Sequence, residues 1–487
     1  MMNDDLRGFI EKLYAANEII EVKDVDWNLE IGAITEVGAE LKSPAFLFDK
    51  IKDYPEGFRV AANLLTVSKR RQKIALGFTE DVSDLDVVKI WKNKLRDFRP
   101  VSPKEVSDGP VMENVMEGEN INLFKFPAPK WHEHDGGRYI GTGDIVITMD
   151  PEEGWINMGT YRVMIHDEKT LSFFVAPGHH AYIMREKYWA RGRNCPVVMC
   201  FGQDPLLWIC STLPLPWGVS ELDFAGFLSG EPIKVIRGKY TGLPIPATAE
   251  IAIEGESPPP SIETREEGPF GEWTGYYASG SRIEPIIKVK AVYYRNNPII
   301  HGELPCKINP AWHPIPIHSA PLLWTLLERA GIEGIKGVWV HGRGNMVIPV
   351  ISIEQLYSGH AKRVASVAAG VMYGVAMAGK WVIVVDDDVD PSNWDEVLWA
   401  LCTRCDPESS IDIVRGYPDT PLDPIIPPEK RERKDWTQSK VLITACKPYN
   451  WKKEFPPVAE ASPELKERAL RKLKTLYPGL FSLTKNY

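Results

Sequence analysis

Two glutamates, Glu267 and Glu272, stand on either side of Gly268-Pro269-Phe270-Gly271, a spacer that forces a sharp, specific path between them. The run continues as Trp273-Thr274-Gly275-Tyr276, too apolar for an ordinary charged surface, so the carboxylates read either as an acid–base pair or as an acidic turn. Arg162 ends the string Asn157-Met158-Gly159-Thr160-Tyr161-Arg162. Strand alternation puts Asn157, Gly159 and Tyr161 on one face and Arg162 on the other unless a bulge intervenes, and a solvated strand arginine is the plain alternative.

Pro177-Gly178-His179-His180 follows at the end of the next expected strand, where neighbouring side chains face opposite ways and at most one imidazole points into a shared site. Leu213-Pro214-Leu215-Pro216-Trp217-Gly218-Val219-Ser220-Glu221 is a rigid loop that delivers Glu221 to a helix start, a place where a glutamate ordinarily just compensates the helix dipole. Asn157, His179 and Glu221 together offer one carbonyl oxygen, one imidazole and one carboxylate. That set suits Mn²⁺ or Mg²⁺, with phosphate oxygens completing the shell.

The elements that must position these groups change character along the chain. Leu6, Ile10 and Leu13 at helical spacing and the apolar Phe46-Leu47-Phe48 predict a small α/β domain over residues 1–115. Residues 116–310 predict an antiparallel sheet or barrel, with strands at Ile145–Thr148, Trp155–Ile165, Leu171–Val175, Ile286–Tyr294 and Pro298–His301. Residues 311–487 return to α/β: helix Leu322–Ala330, strand Gly337–Val340, helix Ala361–Ala378 closed by Gly379, and buried strand Trp381–Val385. The Pro-rich segment from Tyr417 through Pro428 predicts an extended surface arm. Ser462 as N-cap, Pro463 at the first turn and Pro478 beyond the end predict a terminal helix; arm and helix together suit docking on a second subunit.

At 487 residues and 44% hydrophobic, the chain has room for two or three cores. A net charge of −9 without a basic, aromatic-laced run argues against nucleic acid as a partner. The absence of any apolar stretch of about 20 residues, and the polar Met1-Met2-Asn3-Asp4-Asp5 start, predict no membrane span and a cytoplasmic protein. Seven cysteines, odd in number and sparse, predict reduced thiols. Cys402 and Cys405 form a C-x-x-C without a second pair at zinc-site spacing and read as buried packing.

Taken in chain order, the four segments resemble the UbiD family of prenylated-FMN decarboxylases. The match runs from about Pro127 to Pro391 and takes in Asp135-Gly136-Gly137-Arg138-Tyr139, Asp150-Pro151, and Lys380 leading into Val384-Val385-Asp386-Asp387-Asp388-Val389-Asp390-Pro391. The resemblance implies a central split β-barrel that binds the flavin, flanked by amino- and carboxy-terminal α/β portions. It implies Asn157, His179 and Glu221 as ligands of a Mn²⁺ or Mg²⁺ ion that ties the flavin phosphate to the protein, with K⁺ as a further ion. It implies Thr160, Tyr161, Arg162 and Gly178 against the cofactor, the last where several relatives carry a larger polar residue, and Lys380 at its phosphate.

Arg162, Glu267 and Glu272 match the family's catalytic arginine and glutamates: Arg162, paired with Glu267, holds the carboxylate of a small acid, and Glu272 returns a proton. The implied reaction is reversible non-oxidative decarboxylation of an aromatic, heteroaromatic or α,β-unsaturated acid, with prenylated FMN as electron sink. A UbiX-type flavin prenyltransferase supplies the cofactor, and the expected assembly is a homodimer or homohexamer. Three rivals remain at this level: an FMN oxidoreductase on a similar barrel, a non-catalytic subunit of a carboxylase complex, and a metal hydrolase on the same ligand set. Trp273, Trp312, His313 and His318 are candidates for lining a substrate pocket, with packing as the alternative.

Overall fold

The computed structural model describes residues 5–79, 81–278, 280–307, 315–343, 346–372 and 379–477. The chain forms two units, residues 1–446 and residues 447–487.

In the first unit, helix Leu6–Ala15 opens on Asp5, whose carboxylate accepts the Gly8 N–H at 2.8 Å, and buries Leu6, Phe9, Ile10 and Leu13. A four-stranded sheet follows in the order Ile19–Lys23, Ala45–Asp49, Arg59–Ala62, Ile299–Gly302. Its last strand, expected in the β region, instead pairs in parallel with Arg59–Ala62 and ties the middle of the chain to the amino-terminal sheet.

The large sheet has ten strands, all antiparallel. Its path is Arg138–Gly141, Val163–Asp167, Thr170–Phe173, Arg282–Tyr294, Ile251–Ser257, Cys195–Phe201, Ile145–Met149 and Ile156–Gly159. Asn114–Glu117 and Thr264–Glu267 pair along Arg282–Tyr294, off that path. Alternate residues feed two cores: Ile145, Ile147, Val198 and Cys200 pack into one, Val146, Val197, Met199 and Phe201 into the other. Both faces are therefore covered, and the strands read as continuous apolar runs rather than alternating ones.

The expected strand Trp155–Ile165 is broken: Ile156–Gly159 lies at one end of the path and Val163–Asp167 is next to the other end. Four Cα steps from Gly159 to Val163 reach about 14 Å at most. In a flat sheet those strands would lie six spacings apart, roughly 29 Å. The sheet therefore curls until its ends approach, and Thr160–Arg162 bridge the seam. The expected strand carrying the histidine pair ends early, at Phe173, and His179 caps helix His180–Trp189.

A five-stranded sheet follows, in the order Ile335–Arg343, Met346–Ile353, Trp381–Asp386, Thr437–Ala445, Ile411–Pro418. Helix His360–Val371 lays Ala361, Ala365, Ala368 and Ala369 into its core, small side chains that let helix and sheet approach closely. The Pro-rich arm is not a surface feature throughout, because Asp419, Thr420, Asp423 and Ile426 are buried. Cys402 is exposed, which corrects its reading as packing, whereas Cys405, just past helix Trp394–Arg404, is partly buried and packs against the core that holds Val397 and Ala400.

In the second unit, Ser462 accepts the Leu465 N–H at 3.3 Å and starts helix Pro463–Leu476, as expected. Pro478 lies outside the described residues. Among the described residues no helix is long and apolar enough to cross a membrane.

Candidate active site

The seam gathers most of the expected site. Gly159, the last residue of its strand, has no room for a side chain, since a Cβ there would sit 2.6 Å from the Tyr161 hydroxyl. The chain then turns and presents Arg162, which is buried together with Glu267 and Glu272. Arg162 donates from Nε and Nη2 to the two oxygens of Glu267, both at 2.9 Å, a fork-to-fork contact. It donates from Nη1 to Glu272 Oε1 as well. The expected pairing of Arg162 with Glu267 is therefore not exclusive, because the guanidinium has a third edge and Glu272 occupies it.

Burial works against the Arg162 charge, but Glu272 and Glu267 outweigh it and push the pKa up. Tyr139 donates its hydroxyl to Glu267 Oε1 at 2.9 Å, and burial plus that carboxylate push the phenol up. Phe174 lies between two guanidinium groups, with Arg162 at 4.6 Å and Arg282 at 4.2 Å from its ring centre.

The Gly268–Phe270 turn is held by Asp135. Its Oδ1 accepts the Gly271 N–H at 3.2 Å and the Tyr277 hydroxyl at 3.1 Å, and its Oδ2 accepts the His132 N–H at 2.9 Å. Gly136 donates its N–H to the Pro269 carbonyl at 2.8 Å, an approach so close that a Cβ would collide with the Gly268 carbonyl. Asp135, Tyr139, Phe174 and Arg282 were given no role from sequence. Asp135 and Gly136 stand in a glycine-rich run that could have signalled the first, whereas nothing local marks Phe174 or Arg282.

Around Tyr161 lie the three expected metal ligands. Glu221 opens helix Glu221–Ser229, is buried, and accepts the Met158 N–H at 2.7 Å, next to Asn157. Among the described residues it has no ion pair, and burial pushes its carboxyl up to about 8. Asn157 is buried, with its side-chain amide beside the Tyr161 hydroxyl. The His179 ring lies 6.2 Å from that of Tyr161, and burial, with His180 adding, lowers its pKa and keeps the imidazole neutral. A buried carboxylate with no ion pair among the described residues, an amide that offers a carbonyl oxygen and a neutral imidazole would suit a divalent cation, which would supply the positive charge these groups lack.

Other expected contacts are not gathered there. Lys380 pairs with Asp423 of the Pro-rich arm at 2.6 Å. Gly178 is exposed, with φ at +95° and open space where a side chain would stand, and Thr160 is partly exposed at the seam. Trp273 is buried; Trp312 and His313 lie outside the described residues, as does the side chain of His318.

The sequence matches, in succession, the amino-terminal domain (residues 10–90), the Rift-related domain (104–308) and the carboxy-terminal domain (316–445) of UbiD, 3-octaprenyl-4-hydroxybenzoate carboxy-lyase. It is 34% identical over 447 residues to the pyrrole-2-carboxylic acid decarboxylase of Pseudomonas aeruginosa, covering 88% of each chain. The chain belongs to the UbiD family of carboxy-lyases. Within the UbiD family it is also 33% identical to the phenolic acid decarboxylase of Bacillus subtilis, over 87% of this chain and 89% of that one. The vanillic acid decarboxylase of Sedimentibacter hydroxybenzoicus in open form superposes with a TM-score of 0.83 at 29% identity, over 98% of this chain and 100% of that one. The UbiD-class enzyme HmfF from Pelotomaculum thermopropionicum, solved with FMN, gives a TM-score of 0.82 at 27% identity over 95% and 98%. An evolved dimeric form of HmfF, solved with prFMN, gives 0.79 at 26% identity over the same shares.

Proposed function

We propose that this UbiD-family chain reversibly decarboxylates an aromatic, heteroaromatic or α,β-unsaturated carboxylic acid, using prenylated FMN held through Mn²⁺ or Mg²⁺ on Asn157, His179 and Glu221. The observation that carries the reading is the buried Arg162, bound by Glu267 through two parallel hydrogen bonds and by Glu272 through one. When bound, the prenylated flavin supplies a covalent electron sink for the carbanion left by loss of CO₂.

The chain's own residues supply the rest. Glu267, held twice over and fixed by Tyr139, keeps the guanidinium in one orientation. The single bond to Glu272 is the one an arriving carboxylate exchanges with most readily. The exchange frees one Glu272 oxygen to face the substrate, the position from which it would donate a proton to the carbon that CO₂ vacates. The reading also has Lys380, whose ammonium Asp423 holds at 2.6 Å, reach the flavin phosphate. The reading also includes the three-part division at residues 115 and 310, the split barrel, and a homodimer or homohexamer to which helix Pro463–Leu476 contributes.

The test is a screen of aromatic and α,β-unsaturated acids for CO₂ release, with protein made alongside a UbiX-type flavin prenyltransferase and protein made without it. The first preparation is expected to turn over at least one acid and the second to be folded and inactive. Full turnover with plain FMN would refute the cofactor assignment.

A further inference from the structure

Three aromatic rings outside the proposed metal set come from the three segments that carry it. Trp155 lies two residues before Asn157, His180 directly follows His179, and Trp217 lies four residues before Glu221. Trp217 packs edge-on against Trp155, with centroids 4.9 Å apart at 81°, and against His180, at 5.3 Å and 89°. Trp155 and His180 close the triangle at 5.4 Å and 82°. Near-perpendicular contacts of this length are the favoured geometry for aromatic pairs, and three of them meeting at one point fix relative position in every direction.

The surroundings make Trp217 the closing member. It sits in a loop whose Pro214 and Pro216 have no N–H to donate and, like Gly218, are exposed. Leu213 and Leu215 seat the first half of that loop on a core, whereas the second half, which runs into Glu221, is held by the Trp217 side chain. The indole N–H donates to the Glu153 carboxylate at 3.1 Å, and the Lys187 ammonium lies 4.9 Å from the ring centre. Lys187 is itself fixed by Asp150 at 2.7 Å and Glu152 at 2.9 Å, both on the turn that leads to Asn157.

We propose that Trp155, His180 and Trp217 form an aromatic clamp that holds the segments bearing Asn157, His179 and Glu221 at the spacing a divalent metal and the flavin phosphate require, with Trp217 closing it. The clamp rests on the metal reading given above and adds to it a reason why three ligands on three separate segments stay in register. Its members are positioning residues, for none is a proposed ligand and none touches Arg162. Metal and flavin leave when one ligand-bearing segment swings away, so the strength of the clamp sets their rate of escape.

The experiment uses the holoenzyme as loaded with Mn²⁺ and prenylated FMN. Release of both into excess chelator is followed by metal analysis and by the absorbance of freed flavin, for wild type, Trp217→Ala, Trp217→Phe and Trp399→Ala. The last removes an exposed tryptophan on helix Trp394–Arg404. Trp217→Ala is expected to release metal and flavin together at least ~10-fold faster, the scale of two lost aromatic contacts. Trp217→Phe keeps a ring and is expected to stay within about threefold of wild type, and Trp399→Ala to match it. Release from Trp217→Ala at the wild-type rate, or equal loss in Trp217→Ala and Trp217→Phe, would overturn the clamp while leaving the metal reading intact. A wild-type protein that holds neither Mn²⁺ nor flavin would overturn the metal reading and the clamp with it.

Discussion

Glu272→Gln separates proton donation from architecture, because the amide keeps the shape of the side chain and loses only its titrating proton. Its carbonyl oxygen can still accept from Arg162 Nη1, so a hydrogen bond between two charged groups becomes one from a cation to a neutral acceptor, at a cost of about 1 kcal/mol. Arg162 keeps both bonds to Glu267 and is not stranded, so the ~3–5 kcal/mol cost of an abandoned buried charge does not arise. General acid catalysis is typically worth ~10²–10⁴-fold, or about 3–5 kcal/mol of barrier, so the rate should fall far more than the stability. The assay pairs CO₂ release with nuclear magnetic resonance of the product in D₂O. Wild type should place one deuterium at the vacated carbon and should exchange hydrogen for deuterium there in added product, since exchange runs the same step backwards. The variant should lose both turnover and exchange by at least ~10²-fold while its flavin content is unchanged. Exchange and turnover near wild type would pass the donor's role to another group.

His179→Ala and Glu221→Gln should each lower flavin and metal occupancy after dialysis while moving the melting temperature little; full occupancy in both would refute the ligand assignment. Lys380→Met should cost roughly 3–5 kcal/mol in urea unfolding, because it leaves Asp423 buried without its cation beside Asp419, whose carboxyl burial has already pushed up to about 6. Adding Asp423→Asn should recover most of that loss, and a single variant as stable as wild type would show that the pair does not hold the arm. Burial pushes His341 down to about 4, against a hydrogen bond from its Nε2 to the Pro391 carbonyl and with Lys69 assisting the shift. With a folded pKa below the ordinary 6.5, its contribution is present in full above pH 6.5 and is lost as pH falls through 4, about 3 kcal/mol in all. His341→Gln should flatten the stability–pH curve across that window, and an unchanged slope would sink the assignment.

The chemistry was more legible than the topology. Glu267 and Glu272 announce themselves because glycines and a proline between two carboxylates in an apolar run have little other use. That both end on one guanidinium was not legible, since spacing says nothing of how many edges of Arg162 are occupied. The break at Thr160–Arg162 hides inside residues that favour strands locally, and curling of the whole sheet overrides that preference. Ile299–Gly302 reads correctly as a strand, but its partner is more than two hundred residues away at Arg59–Ala62, and no local pattern names a partner at that distance. The Pro-rich arm looked like surface from composition, yet Lys380 draws Asp423 inward through an ion pair that composition cannot reveal. The histidine pair was misplaced on a strand because His180 begins a helix with no capping side chain to announce it.

The three residues that bridge the seam of the curled sheet leave the chain almost no slack. Asn157 lies on one side of the seam and Arg162 on the other, joined by a segment too short to stretch. In the proposed reading, the residues that would hold the metal and flavin and the arginine that would hold the acid are thus one mechanical part. Any movement that widened the seam would strain both at once, so in that reading room for a bulkier acid has to come from other segments and not from the seam itself.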